Sequence, residues 1–287
     1  MSNFAVIYWD PNPAIFTLPI LNWPILWYGV FFAAGFAIGF PIFYSILCRY
    51  FMKRPDHESV MAIEKKAMFF ADRLTFYMVV ATVIGARVGH FLFYEHPKDY
   101  LSRPLEIFRV WEGGLASHGA AVGIVLALVL FSRRYKNLSQ GLDWIRLLDY
   151  VCVPTALAGA FIRLGNFFNQ EILGTPSNLP WAVVFGHPMD HSRPIPRHPV
   201  QLYESLFYFL VFLLLWRLTY RPAYFLAKGR LIGLFLMLVF GFRFLVEYMK
   251  IEQSSLLSRT SELTMGQILS IPAVLSGAFL FYRSIRK

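Results

Sequence analysis

The sequence predicts an all-α integral membrane protein with seven transmembrane helices, an outside N-terminus and an inside C-terminus. The chain of 287 residues is 57% hydrophobic and 15% charged, with a mean hydropathy of +0.50. An ordinary soluble domain is less apolar and carries more charge. The apolar residues are also gathered into runs that approach the length of about 20 residues needed to cross a bilayer. Composition and patterning together indicate a multi-pass membrane protein.

Seven such runs follow one another along the chain, and polar residues interrupt some of them. We expect residues 1–287 to form a single multi-pass membrane domain. The connection from about residue 167 to residue 198 is long for a turn and rich in Pro, Gly, Asn and His, so it predicts a small irregular extracytoplasmic cap with a short strand at Trp181 to Phe185. The predicted spans are Pro24 to Phe51, Met68 to Tyr94, Leu115 to Phe131, Asp143 to Ile162, Pro199 to Leu218, Leu231 to Tyr248 and Met265 to Tyr282.

The distribution of lysine and arginine determines the predicted orientation. With the N-terminus outside, 15 of the 27 basic residues fall in the inner connections and at the C-terminus, and eight fall in the outer connections. Basic residues favour the cytoplasmic side of a membrane. The sequence therefore predicts an N-out, C-in topology.

The net charge of +10 does not indicate nucleic-acid binding, because the basic residues form short clusters between apolar runs and no soluble basic face could hold them. Cys48 and Cys152 lie inside apolar segments, which favours small core side chains over a disulfide or a metal site. The sequence lacks HExxH, GxSxG, Walker and CxxC patterns. We therefore expect chemistry without a metal, a nucleotide or another cofactor.

Polar residues beside the apolar runs converge on one predicted level, the outer-leaflet interface. Arg87, Arg163 and Arg243 lie toward the outer ends of predicted helices. Ionisable side chains at membrane depth are costly and often functional. Three guanidinium groups at headgroup depth favour an anionic lipid phosphate as the ligand, because arginine binds phosphate through a bidentate fork. The other polar residues predicted at this level are Tyr28, His118, His198, Gln201, Tyr203, Glu204 and Glu247.

Simpler interpretations of several residues stay open. Arg87 could extend to the headgroups or pair with Glu95, and Arg243 could pair with Glu247 four residues further on. His118, in the run GGLASHGAAVG, could be a hydrogen-bonded histidine between helices, although the glycines on both sides would let a ligand approach closely. The GxxxG spacings indicate helix packing; they are Gly35/Gly39, Gly85/Gly89 and Gly119/Gly123.

The run FIRLGNFFNQEILG, from Phe161 to Gly174, carries the most specific pattern in the chain. It resembles the hallmark G-R-x-G-N-F-x-N-x-E-x-x-G of the bacterial prolipoprotein diacylglyceryl transferases, with Ile162 in place of the first glycine. Val239 is a second departure, since many members carry a tyrosine there. Further blocks that resemble the family are Asp10-Pro11 with Ile15-Phe16, Trp27-Tyr28-Gly29, Gly113-Gly114 through His118-Gly119, His198-Pro199 with Gln201 to Glu204, and Arg243-Phe244 with Glu247.

The resemblance implies a reaction, its substrates and a location. Such enzymes transfer the diacylglyceryl group of phosphatidylglycerol to the lipobox cysteine of a prolipoprotein signal peptide, forming a thioether and releasing glycerol phosphate in the first step of lipoprotein maturation. The expected active site faces the extracytoplasmic side of the bacterial cytoplasmic (inner) membrane. Nucleic acid has no part in this reaction.

Within that reaction, we expect one set of residues to hold the lipid phosphate. Arg163 and Arg243 would bind it, and Asn166 would donate an additional hydrogen bond. Gly174 and His198 complete the predicted phosphatidylglycerol site. No metal takes part.

A second set of residues is expected to act on the substrate thiol. His118 is the candidate base, with Glu204 and Glu247 as orienting partners and Tyr28 in contact with the headgroup. Glu204 or Tyr28 could serve as the base instead.

Two other classes of membrane protein predict sequence patterns that differ from those of a transferase. A lipid or solute transporter predicts an internal repeat and charges through the full membrane depth, whereas no repeat is visible and few charged residues, among them Arg73 and Arg146, fall in the inner halves of the spans. A receptor-like binding module with seven helices would not explain the outer cationic residues.

Overall fold

The computed structural model describes residues 7–19, 22–54, 59–94, 116–251 and 263–286, without the side chains at 93–94 and 117–118. Most of this part of the chain is helical. The last long helix but one continues into a 3-10 turn at Glu247–Met249. The helices are α1 Trp27–Met52, α2 Val60–Tyr94, α3 Ser117–Arg134, α4 Trp144–Phe168, α5 Val200–Leu218, α6 Pro222–Phe225, α7 Arg230–Val246 and α8 Met265–Ile285.

Within the described residues, six helices are long and apolar enough to cross a membrane, which makes the chain a multi-pass membrane protein. They correspond to six of the seven predicted spans. The remaining prediction, Leu115 to Phe131, coincides with the 18-residue helix α3, which is not one of the six. The count of seven transmembrane helices and their orientation stay predictions.

Two helix boundaries were predicted wrongly, and polar residues explain both errors. α4 continues to Phe168, six residues beyond the predicted end at Ile162, because Arg163 and Asn166 bond to each other within its last turns. α2 begins at Val60 and includes the charged residues that follow it, so the helix is longer than its apolar stretch. Charged side chains end an apolar run without ending a helix.

Five short strands show that the fold is mostly helical rather than all-α. β1 (Ile7–Trp9) pairs in parallel with β4 (Val183–Phe185), and β4 pairs antiparallel with β5 (Pro196–Arg197). A separate hairpin joins β2 (Ala14–Leu18) to β3 (Trp23–Leu26). The strand predicted at residues 181–185 is therefore confirmed, and it is part of a three-stranded sheet.

Two compact units can be distinguished, one made of Met1–Ile42 and Val151–Lys287, the other of Phe43–Tyr150. In the first unit, α1 and α4 approach closely at Gly35, where a Cβ atom would lie 3.1 Å from the Cα of Ala158. In the second, α2 and α3 approach closely at Gly89, where a Cβ atom would lie 2.7 Å from the Cα of Gly119. Small residues let membrane helices pack at short distances, so the predicted packing role of these glycines is confirmed.

Candidate active site

The end of α4 is held in place by apolar packing against the small sheet. Phe167 on α4 and Phe185 on β4 belong to one buried cluster, and their rings lie 5.6 Å apart. The Trp9 indole of β1 also donates a hydrogen bond of 3.2 Å to the backbone carbonyl of Phe167. The sheet thus fixes the segment in which the motif residues turn from helix to loop.

A buried ion pair joins α4 to the start of α5. Arg163 Nε lies 3.1 Å from Glu204 Oε2, and the two side chains are 13% and 0% exposed. The same guanidinium donates through Nη1 to Asn166 Oδ1 at 3.0 Å. Two partners on two of its nitrogens fix the plane of the Arg163 fork, as bidentate arginine contacts do.

The motif continues this network through Glu171. Asn166 Nδ2 donates to Glu171 Oε1 at 2.8 Å, and Asn169 Nδ2 donates to the same oxygen at 3.2 Å. Gln201 Nε2 donates to the Glu171 backbone carbonyl at 2.7 Å. The polar residues of the motif therefore bond to one another and, through Gln201, to α5.

Glu204 is the centre of the charged residues. Its Oε1 accepts hydrogen bonds from Lys250 Nζ at 2.9 Å and from the Tyr208 hydroxyl at 3.2 Å, in addition to the Arg163 contact on Oε2. Arg243 also acts electrostatically on Glu204 and on Tyr208. Of the two arginines that the sequence analysis assigned to one phosphate, Arg163 therefore contacts the buried carboxylate and Arg243 interacts with it electrostatically.

Glu247 pairs with a different cation from the one that its spacing suggested. Within the described residues its ionic partner is Lys250, at 3.3 Å between Nζ and Oε2, and no contact with Arg243 is found. The suggested Arg243–Glu247 pair is therefore wrong in this structure. A Cβ atom on Gly266 of α8 would lie 2.7 Å from Glu247 Oε2, so the absence of a side chain there makes room for the carboxylate.

Tyr28 lies at the beginning of α1, half-buried against α4. A Cβ atom on Gly165 would lie 2.7 Å from a carbon of the Tyr28 ring and 3.2 Å from its Cα. Gly165, the first glycine after Arg163 in the motif, therefore has a steric role, because only glycine leaves this space for the tyrosine.

Gly174 and His198 lie against each other. A Cβ atom on Gly174 would collide with the carbonyl oxygen of His198 and would lie 2.8 Å from its Cβ. The His198 ring contacts the Tyr203 hydroxyl, with 3.4 Å between Nδ1 and the oxygen, and that hydroxyl accepts a bond from Trp181 Nε1 at 2.7 Å. The structure places this pair beside the motif, and their binding of lipid stays a prediction.

Two predicted residues belong to the other unit. His118 lies in the first turn of α3, but its side chain is outside the described residues, so its predicted action as a base stays a prediction. Arg87 is buried, and its guanidinium lies 4.6 Å from the centre of the Phe91 ring. Glu95, its suggested partner, is outside the described residues.

Hydrogen bonds of Asp10 hold the N-terminal segment in place. Asp10 Oδ1 lies 2.6 Å from His187 Nδ1 and accepts a bond of 3.1 Å from Gln170 Nε2. The hydrogen bond with His187, followed by that with Gln170, lowers the pKa of the Asp10 carboxyl below its usual value. These bonds tie the segment before β2 to the segment that follows α4.

Sequence reasoning missed Lys250 and Tyr208. Lys250 is one of the eight basic residues counted in the predicted outer connections, yet its side chain is 6% exposed. Burial, opposed by the nearby Glu204, lowers the pKa of its ammonium group. Spacing could have found both residues, since Tyr208 is four residues after Glu204 and Lys250 is three residues after Glu247. Such spacings place side chains on one helical face.

Comparison with known proteins decides the family. Residues 13–283 match the family model described as prolipoprotein diacylglyceryl transferase. The chain belongs to this family. The match covers both compact units and includes every residue of the network around Glu204.

Individual members of the prolipoprotein diacylglyceryl transferase family are similar over almost their whole length. A protein of Chloroherpeton thalassium named phosphatidylglycerol–prolipoprotein diacylglyceryl transferase is 41% identical, over 100% of this chain and 97% of its own. Proteins with the same name from Porphyromonas gingivalis and Protochlamydia amoebophila are 40% and 37% identical. They cover 98% and 97% of this chain, and 96% and 95% of their own lengths.

Proposed function

We propose that this chain transfers the diacylglyceryl group of phosphatidylglycerol to the lipobox cysteine of prolipoproteins. The cysteine sulfur attacks the carbon of the diacylglyceryl group that is bonded to the phosphate oxygen. A carbon–sulfur bond forms there, and the carbon–oxygen bond to the phosphate breaks. The thiol proton goes to a base, and glycerol phosphate leaves with the electron pair of the broken bond. This reaction needs no cofactor, and it begins lipoprotein maturation.

The network of motif residues is the observation that carries this proposal. Arg163 contacts Asn166 and Glu204 at the same time, and Asn166 continues to Glu171. A guanidinium held in one plane before substrate arrives costs less conformational entropy when it binds. Arg163 is therefore suited to receive a tetrahedral anion.

Charge development explains why two arginines would accelerate the reaction. The phosphodiester carries one negative charge, and the departing phosphate monoester carries close to two. Cations beside the phosphate stabilise the transition state more than the bound substrate, because more negative charge has developed there. Such differential stabilisation is the condition for catalysis. We assign Arg163 and Arg243 to the phosphate, since Arg163 contacts Glu204 directly and Arg243 adds to the positive charge that acts on it.

Three other residues complete the proposed lipid site. Asn166 uses one amide hydrogen on Glu171, and within the described residues its second hydrogen has no partner, so it can donate to a phosphate oxygen. Tyr28, placed by Gly165, would contact the glycerol headgroup. Gly174 and His198 would form the adjoining wall.

His118 is our proposed base for the thiol. A free cysteine has a pKa of about 8.5 and must lose its proton to become a strong nucleophile. Glu204 is less suited to this task, because two cations and a hydroxyl already bind its carboxylate. Tyr28 stays the alternative.

We also propose that the protein lies in the bacterial cytoplasmic membrane with its N-terminus outside and its site facing the extracytoplasmic side, beneath the cap of residues 167–198. The excess of basic residues in the inner connections supports this orientation. A reporter fused after Lys287 should be active in the cytoplasm, and an extracytoplasmic signal would contradict the topology.

The transfer itself can be tested with purified protein, phosphatidylglycerol and a synthetic lipobox peptide. Mass spectrometry should find a diacylglyceryl adduct on the cysteine, and glycerol phosphate should appear in equal amount. The same peptide with serine in place of cysteine is the control and should stay unmodified. A cysteine peptide that also stays unmodified would contradict the proposal and favour a lipid transporter.

A further inference from the structure

Lys250 is fixed beside the motif by its backbone. It forms an antiparallel bridge with Gly174, flanked by hydrogen bonds from Thr175 N to Met249 O at 2.8 Å and from Ile251 N to Leu173 O at 3.0 Å. This pairing joins the end of the 3-10 turn to the end of the motif. The lysine therefore reaches the centre of the network from a third direction.

The side chain of Lys250 contacts both carboxylates on the α5 and α7 side of the site. Its ammonium nitrogen lies 2.9 Å from Glu204 Oε1 and 3.3 Å from Glu247 Oε2. Arg163 occupies the other oxygen of Glu204. Glu204 thus lies between two cations, one on each oxygen, and has no exposed surface.

This arrangement has a consequence for phosphate binding. If Arg163 turns from Glu204 to a phosphate, Glu204 loses one of its cations. A buried carboxylate without a cation is strongly unfavourable, because nothing then compensates its charge away from water. The exchange is feasible only if another cation keeps the charge of Glu204 balanced.

We propose that Lys250 is this second cation, a positioning residue that holds Glu204 while Arg163 changes partner from carboxylate to lipid phosphate. The inference rests on the proposed transfer from phosphatidylglycerol. Lys250 itself does not touch the phosphate. It acts through Glu204, by lowering the cost of releasing Arg163.

The test measures the KM for phosphatidylglycerol separately from kcat and from the KM for the peptide. Lys250→Met should raise the KM for phosphatidylglycerol by about tenfold or more, which corresponds to a binding free energy weakened by about 1.4 kcal/mol. The KM for the peptide should stay close to that of the wild type. Lys136→Met, at an exposed lysine in a turn, is the matched control and should change neither constant.

Three further variants separate positioning from folding. Lys250→Arg keeps the charge and should restore most of the affinity. Lys250→Gln keeps a hydrogen-bond donor without charge and should show the same loss as Lys250→Met. In the double variant Lys250→Met/Glu204→Gln, Arg163 has no carboxylate to leave, so the KM for phosphatidylglycerol should fall below that of Lys250→Met alone.

The KM for phosphatidylglycerol should depend on pH in Lys250→Met in a way that it would not if Lys250 only stabilised the fold. The charged and titratable groups facing Glu204 are Arg163 on α4, Lys250, Arg243 on α7 and Tyr208 on its own helix. Without Lys250, protonation of Glu204 at lower pH would release Arg163. The KM of Lys250→Met for phosphatidylglycerol should therefore decrease toward the wild-type value as the pH falls.

The possible failures can be told apart. An active wild type with an unchanged KM in Lys250→Met would overturn the role of Lys250 and leave the transfer standing. A double variant no better than Lys250→Met would also overturn it. A wild type that forms no adduct would instead contradict the proposed function itself.

Discussion

Arg163 and Glu204 form an ion pair of 3.1 Å in which the carboxylate has no exposed surface. The arginine that we assign to the lipid phosphate is therefore already balanced by a carboxylate before the substrate arrives. Burial of such a pair is costly unless the remaining groups are bonded. Here Asn166, Lys250 and Tyr208 supply those additional bonds.

Replacement of Glu204 tests the stabilising role of this pair. Glu204→Gln leaves Arg163 and Lys250 buried without the carboxylate that they share, and we expect the free energy of unfolding to fall by about 3–5 kcal/mol. Thermal unfolding in detergent measures the effect. Glu64→Gln, at an exposed glutamate in α2, should stay within about 0.5 kcal/mol of the wild type. Equal melting temperatures for both variants would show that the buried pair does not stabilise the fold.

The space beside Tyr28 can be filled by one methyl group. In Gly165→Ala the new Cβ would lie 2.7 Å from the Tyr28 ring, so the ring must move and activity should fall by about tenfold or more, because small displacements of positioning groups are costly. Gly241→Ala, where nothing lies within 4 Å, is the matched control and should keep near-normal activity. If both variants are equally active, Tyr28 does not need its present position.

The bond between Asp10 and His187 predicts a pH effect in the N-terminal segment. Because the pKa of Asp10 is lowered in the folded state, its ionised form stabilises the attachment at pH values above the usual 3.8. That contribution is lost as the pH falls from there through the folded pKa. Hydrogen exchange at the amide of Gly186, which bonds to Trp9 O, should accelerate relative to the intrinsic exchange rate at each pH in this range.

Asp10→Asn is the control for this effect. The variant should exchange faster at neutral pH and should lose the additional acceleration in acid. Identical exchange profiles for the variant and the wild type would remove Asp10 from the attachment of this segment.

The proposed base can be examined through the dependence of the rate on pH. Removal of a general base costs about 10²–10⁴-fold in rate. His118→Gln should therefore be slow, and its rate should rise steadily with pH as more of the peptide thiol ionises by itself. A modest loss with an unchanged profile would assign His118 to helix packing.

Much of the fold could be predicted because the apolar runs of the sequence coincide with the long helices of the structure. The segments from Val200 and from Met265 begin within one residue of the predicted starts. The end of α4 was missed because hydropathy falls at Arg163, whereas the helix continues until the motif has bonded its polar groups. Hydropathy indicates whether a segment lies in lipid or in water. The end of a helix also depends on which hydrogen bonds its last residues make.

The sequence singled out several residues that interact in the structure, but it did not show which of them pair. The sequence predicted Arg163, Glu204 and Arg243 at one level, and in the structure Arg163 contacts the Glu204 carboxylate while Arg243 interacts with it electrostatically. The sequence left a pair between Glu247 and Arg243 open, because i,i+4 spacing in a regular helix favours that contact. The 3-10 turn at Glu247–Met249 ends the regular helix and brings Lys250 to Glu247 instead. Pairing across elements depends on such local geometry, which residue types alone do not encode.

The role of Arg163 at the lipid phosphate can be tested by the kcat/KM of Arg163→Lys with phosphatidylglycerol and a lipobox peptide. Lysine keeps the charge but lacks the planar fork that binds a phosphate through two hydrogen bonds, so we predict a loss of about 100-fold or more. Arg217→Lys, at an exposed arginine near the end of α5, is the matched control and should retain wild-type activity. Near-normal turnover by Arg163→Lys would contradict the assignment of Arg163 to the phosphate.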